Sequence, residues 1–86
     1  MYQIEFDKSF DKKYFLKIPN EYQRKIKEFI EIRLSNDPFS AGKLLKGNFE
    51  GLRSARIGIY RIIYEIFDDK ITVYIIKIAH RKDVYE

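Results

Sequence analysis

The chain opens on an alternation: in the run YQIEF at positions 2–6, the apolar side chains of Tyr2, Ile4 and Phe6 are separated by polar ones. That period of two predicts a short strand. Asp7 or Ser9 can cap a following helix in which Phe10 and Tyr14 share a face, and Pro19 sets its end near Ile18 by disfavouring helical geometry in the preceding residue. Asn20 can cap a second helix. There Tyr22, Ile26, Phe29, Ile30, Arg33 and Leu34 recur at helical spacing, the apolar members forming one stripe opposite a lysine and glutamate face. This helix is expected to end between residues 35 and 38, giving a helical hairpin suited to covering a sheet.

Residues 39–51 break the pattern and hold three of the four glycines, Gly42, Gly47 and Gly51, together with Lys43 and Lys46. Their spacing matches no nucleotide-binding motif, so a connecting loop is favoured over a phosphate cradle. Strand-like runs fill residues 52–86. A two-residue turn at Gly58 and Ile59 would pair Ile57 with Tyr60, Arg56 with Arg61, Ser54 with Ile63 and Leu52 with Glu65. The next turn, near residues 68–70, allows two registers, and a slip of one residue turns every side chain of the last strand over. Pairing Phe67 with Ile71 would complete a core face of Tyr60, Ile62, Tyr64 and Ile66 with Tyr74, Ile76 and Ile78. The other register would bury Lys77 at a cost of several kcal/mol. Lys77 is therefore expected beside Arg56 and Arg61 on the open face, with Ser54 and Glu65 near them and Arg81 just past the last strand.

A length of 86 residues predicts one small domain, residues 1–86, and a chain this short buries only about 60–65% of its unfolded surface. The 45% hydrophobic content, with seven Tyr and seven Phe, makes a core feasible. Without cysteine there is neither a disulfide framework nor a Cys-based metal site. No apolar run approaches the roughly 18 residues of a membrane span and the start is unlike a signal peptide, so the expected address is cytoplasmic, with no membrane partner. The net charge of +4 leans towards the C-terminal half, where residues 42–86 hold nine Lys/Arg against six Asp/Glu. This favours an anionic partner, although 35% charged residues is equally what a well-solvated surface looks like. Like charges opposite each other destabilise a sheet by a few tenths of a kcal/mol, so Arg56 facing Arg61 asks for a reason. Either the pair fans into solvent or meets Glu65 and Glu50, or two planar guanidinium forks hold an anion. Phosphodiester chemistry is the sharpest form of the second reading.

Three strings, LLKG at 44–47, GLRSARIGIYRIIY at 51–64 and IAHRKDVY at 78–85, resemble the RelE/ParE toxins of bacterial and archaeal toxin–antitoxin modules. In length and element order the resemblance covers essentially the whole chain. It implies an α+β fold of order β-α-α-β-β-β, a small, mainly antiparallel sheet covered on one face by the helical hairpin. In the RelE branch it implies a ribosome-dependent endoribonuclease that cuts mRNA in the ribosomal A site, with the RNA 2′-hydroxyl as nucleophile. Arg61 and Arg81 match arginines that stabilise the phosphorane-like transition state and leaving group. Tyr85 matches a tyrosine that stacks on the substrate base and assists proton transfer, and Arg56 a further basic position. The best-studied branch has lysines where this chain has Leu52 and Ser54. Lys77 is the candidate to replace their charge and His80 the candidate acid or base, because its unperturbed pKa lies near neutrality; Glu65 and Glu50 are weaker candidates. Read without the family, His80 is a strand-end histidine bonded to a neighbour. Arg61, Arg81, Tyr85 and His80 are thus the candidate catalytic residues, and Arg56, Lys77, Lys46 and Ser54 the candidate substrate contacts. No metal or organic cofactor is indicated. The implied partners are a RelB-like antitoxin, with Phe15, Leu16 and Ile32 as spare apolar contacts, and the ribosome with its mRNA. ParE-type relatives share the fold and bind DNA gyrase, which is the alternative function.

Overall fold

A computed structural model describes residues 1–85. Strand β1, Gln3–Phe6, leads to a turn in which Asp7 accepts hydrogen bonds from the Ser9 N–H (3.0 Å) and hydroxyl (2.5 Å). Helix α1, Lys12–Lys17, starts later than the sequence suggested, because Asp11 is the cap: its carboxylate accepts from the Tyr14 N–H at 3.0 Å. Phe10 consequently lies ahead of the helix and packs its ring 4.8 Å from that of Phe6. Ile18 ends α1 in extended geometry, as a residue before proline should. Helix α2, Asn20–Phe29, begins one residue past its cap Pro19 and continues into a π-helical turn, Ile30–Leu34, closed by the Ser35 N–H on the Ile30 carbonyl. Ile26, Ile30 and Leu34 form its buried stripe.

Residues 39–51 are not a plain loop. Asp37 caps a short helix α3, Pro38–Ala41, and Lys43–Leu44 forms a two-residue edge strand β2 that pairs with the strand ahead of the Gly58 turn. Gly42 makes this approach possible: a Cβ there would sit 2.5 Å from the Ser54 carbonyl oxygen and 2.6 Å from the Tyr64 hydroxyl. Strand β3, Arg53–Ile57, turns at Gly58 (φ +60°) into β4, Tyr60–Phe67, and β5 is Thr72–His80. The five strands lie in the order β1-β5-β4-β3-β2, all neighbours antiparallel except β1 with β5. The fold is α+β, with one strand more than the sequence predicted.

Across the Gly58 turn the pairing is as expected: Ile57 with Tyr60, Arg56 with Arg61 and Ser54 with Ile63. The ladder ends at Arg53 with Tyr64, leaving Leu52 outside β3. Between β4 and β5 the expected pairing of Phe67 with Ile71 does not form; Phe67 pairs with Thr72, and the register shifts by one between Ile63 and Tyr64. Tyr64 faces Ile75 while Ile63 faces Lys77, so Ile76 is the extra residue of a β-bulge. Either uninterrupted register would misplace one half of β5. With the bulge, Val73, Ile75 and Ile78 all reach the helix side and pack with Tyr60, Ile62 and Tyr64, whereas Tyr74 and Ile76 do not join that core. Lys77 escapes burial in the core as expected, for this different reason. Of the three spare apolar positions, Phe15 belongs to the core and only Leu16 and Ile32 stay exposed. Among the described residues no helix is long and apolar enough to cross a membrane.

Candidate functional site

The hairpin of β3 and β4 builds the site. Alternation sends Ala55 and Ile57 to the helix side with Ile62 and Tyr60, and leaves Ser54 and Arg56 beside Ile63 and Arg61 on the other face. On β5, Ala79 stands opposite Arg61, and its small side chain crowds the guanidinium little. Lys77, opposite Ile63, lies diagonally across from Arg61.

That face is not open solvent throughout. After β5 the chain turns back, with the Asp83 and Val84 N–H groups donating to the His80 carbonyl at 2.8 and 3.0 Å. Val84, 2% exposed, is thereby pressed onto Ile63 and Ala79, with Leu45, Leu52 and Ile76 around it, forming a second small core on the arginine side. This anchor positions its neighbour. The Tyr85 hydroxyl reaches the Ser54 Oγ at 3.3 Å, and its ring meets Phe49 edge-on at 5.4 Å between centroids. Arg61 Nη1 donates to the same Ser54 Oγ at 3.5 Å. Ser54, itself 6% exposed, therefore ties Arg61 to Tyr85 from below. Lys77 Nζ donates to the Asp83 carbonyl at 3.4 Å, joining the turn to the sheet. The Arg81 N–H donates to the Ile59 carbonyl at 2.8 Å, which extends the register one position past the strand on the Arg61 side.

Arg61, Ser54, Lys77 and Tyr85 thus meet around one turn that also carries Arg81. Arg56 pairs with Arg61 across the ladder but is exposed and borders a separate groove with Phe29, Ile32 and Arg33. Lys46 is exposed ahead of the 3-10 turn Gly47–Phe49. His80 does not join the group. It pairs with Tyr60, the two rings 6.0 Å apart edge to face, and so lies on the helix side of β5. Its N–H donates to the Tyr14 hydroxyl at 2.9 Å and its Nδ1 accepts from the Lys82 N–H at 3.1 Å, so a neutral ring carries its proton on Nε2. Arg53 is on the helix side too, where its guanidinium donates to the Phe39 carbonyl at 2.7 Å and braces α3. Beside it the Tyr64 hydroxyl donates to the Pro38 carbonyl at 2.8 Å, and burial raises the Tyr64 pKa.

Sequence reasoning overlooked Val84 and Phe49, which position Tyr85. The signal was faint but present: Val84 is the lone apolar residue between charged Asp83 and Tyr85, and Phe49 stands alone in a polar stretch. Chemically, a guanidinium fork and a half-exposed phenol (Tyr85, 43%) meeting on one hydroxyl, with an ammonium on the far side of β4, can hold a phosphodiester and present an aromatic face to its base.

The family model of the ParE toxins of type II toxin–antitoxin systems (parDE) matches residues 4–85. The chain is 39% identical to toxin RelG of Mycobacterium tuberculosis over 69 residues, 80% of this chain and 79% of RelG. It is 41% identical to toxin RelE of the same organism over 69 residues, 80% and 71% of the two chains. Among solved structures it is similar to a chain of the M. tuberculosis RelBE2 toxin–antitoxin complex, with a TM-score of 0.84 and 34% identity over 93% of this chain and 98% of that one.

Proposed function

The chain belongs to the ParE toxin family of type II toxin–antitoxin systems and is RelE-like, and on that premise we propose that it is a ribosome-dependent endoribonuclease that cuts mRNA in the ribosomal A site. The observation that carries this reading is the meeting of Arg61 and Tyr85 on the buried Ser54 hydroxyl. In the proposed reaction a ribose 2′-hydroxyl gives its proton to solvent water and attacks the adjacent phosphorus, closing a 2′,3′-cyclic phosphate. The bond to the 5′-oxygen breaks, and that oxygen takes up a proton. Negative charge gathers on the phosphoryl oxygens as this happens, and Arg61 and Arg81 stabilise it, a contribution of about 3–4 kcal/mol per donor at comparable sites. Tyr85 stacks on the substrate base and carries a proton. Lys77 supplies positive charge beside them, while the imidazole of His80, across the sheet, takes no part. Because the nucleophile belongs to the RNA, no cofactor enters the scheme.

The test is cleavage of mRNA on programmed ribosomes. Arg61→Ala is expected to lower the rate roughly 10²–10³-fold, and full activity in that variant overturns the mechanism. A RelB-like antitoxin is the proposed partner, in keeping with the antitoxin bound in the similar RelBE2 complex, and the cytoplasm is the proposed compartment. A second reading draws support from the family model, which describes ParE toxins: inhibition of DNA gyrase without RNA cleavage. A supercoiling assay beside the ribosome assay separates the two. Inhibited supercoiling with intact mRNA would favour the second.

A further inference from the structure

A groove of about 460 Å³ lies where β3 faces the second half of α2 and the π-helical turn that follows it. Strand β2 pairs with β3 only at Arg53 and Ser54, and the groove begins past its end, beside Arg56 and Ile57. Three cations line it, Arg56 from the strand and Lys25 and Arg33 from the helix, against a single carboxylate, Glu28. All four are exposed. Between them Phe29 and Ile32 (54% exposed) make an apolar wall, and the Arg33 guanidinium stands over the Phe29 ring, 5.7 Å from its centre.

Arg56 joins this groove to the site. It stands opposite Arg61 on the neighbouring strand, about 4.8 Å away at the backbone. Arg61 turns in to the Ser54 hydroxyl, whereas Arg56 turns out to the groove. Like charges opposite each other are unfavourable in the free protein, but two guanidinium groups one strand apart suit successive phosphates of one chain. We infer that the groove receives the mRNA segment 3′ of the cleaved bond, with Arg56 and Lys25 on its phosphates and a base stacked on the outer face of Arg33. The inference rests on the ribonuclease reading above and adds the path of the substrate beyond the bond that breaks. On a ribosome the codon on the 5′ side is held by pairing in the P site, so the 3′ segment is the one free to leave the arginine face and turn round the edge of the sheet. A cationic groove with flat groups on which bases stack holds single strands with little regard to sequence, so this contact adds affinity and not codon choice. An amphipathic helix fits less well, because Arg33 already covers Phe29 and leaves Ile32 as the exposed apolar contact.

The experiment measures cleavage on programmed ribosomes with two mRNAs, one running well past the cleaved bond and one ending a single nucleotide after it. On the long mRNA, Arg56→Gln and the double variant Lys25→Gln/Arg33→Gln are each expected to raise KM about tenfold and to leave kcat within about twofold. Arg56→Lys should recover most of that loss. On the short mRNA the parent should itself show the raised KM, and the variants should lose nothing further. All variants should melt with the parent, because these positions are at the surface. Equal losses on the two mRNAs assign the groove to the ribosome's own RNA and overturn the inference. A parent-like KM for both variants on the long mRNA also overturns it while leaving the ribonuclease reading standing, and weakened antitoxin binding in the same variants would then assign the groove to the antitoxin. No cleavage by the parent on either mRNA overturns both.

Discussion

Ser54 is the residue on which the site turns. Its hydroxyl is the shared partner of Arg61 Nη1 and the Tyr85 phenol, and each such bond contributes on the order of 1 kcal/mol. Ser54→Ala should therefore reduce mRNA cleavage about tenfold, well short of the Arg61→Ala loss, and lower the melting temperature by a few degrees; parent-level cleavage would remove Ser54 from the machinery. Two carboxylates add a small acid sensitivity to the fold. The hydroxyls of Ser9 and Ser40, and then their N–H groups, donate to Asp7 and Asp37 and lower both pKa values. With folded values below unfolded ones, this stabilisation is in place above about pH 4 and is lost as pH falls through the folded values. Asp37 is exposed, Asp7 only partly covered, and the effect small, so melting followed from pH 6 down to pH 2 should show a slightly shallower fall in a Ser9→Ala/Ser40→Ala variant. An identical slope would remove these bonds from the account. At this scale Arg61 and Ser54 were legible, because the Gly58 turn fixes their register. His80 came forward for its titration range and its place in the family string, although the alternation that gives Lys77 to the arginine side sends His80 to the helix side. The position of Tyr85 depends on Val84 finding a second core, which no local pattern announces.

At the scale of elements, the hydrophobic stripe of α2 and the β3–β4 hairpin could be read directly, because periodicity and a glycine turn are local. Edge strand β2 and the offset in β5 could not. The first has two residues and owes its existence to Gly42 meeting the Ser54 carbonyl, and the second is a compromise between two half-strands whose cores differ in phase. Gly42→Ala should push β2 off β3 and lower stability by roughly 2 kcal/mol, read as an earlier denaturant midpoint; an unchanged midpoint would mean that β2 contributes nothing. Strain of the opposite kind sits at Ile71, a β-branched residue held left-handed (φ 49°) and exposed at the β4–β5 turn. Relieving such strain is worth about 1 kcal/mol, so Ile71→Gly should raise the melting temperature by a few degrees, and a lower melting temperature would show that the isoleucine packs usefully where it is.

For the molecule as a whole, the sheet divides two tasks between its faces. One face carries the hydrophobic core and, at its margin, an apolar groove with lysines; the other carries arginines, a hydroxyl and a phenol over a small core of its own. A partner that engages both faces must reach around the edge of the sheet. On the proposed function, Arg61→Ala/Arg81→Ala is expected to reduce the salt dependence of ribosome binding by about one unit of slope per charge removed. An unchanged slope would remove the two arginines from the ribosome contact. The bulge at Ile76 has a consequence for how this fold tolerates changes in length. Ile76 and Lys77 both lie on the arginine side, so removing Ile76 would leave Tyr64 facing Ile75 and Ile63 facing Lys77 with no side chain changing sides. β5 is in effect two strands spliced with one residue of slack: the half that pairs with β1 and the half that borders the arginines can each gain or lose register without dragging the other along.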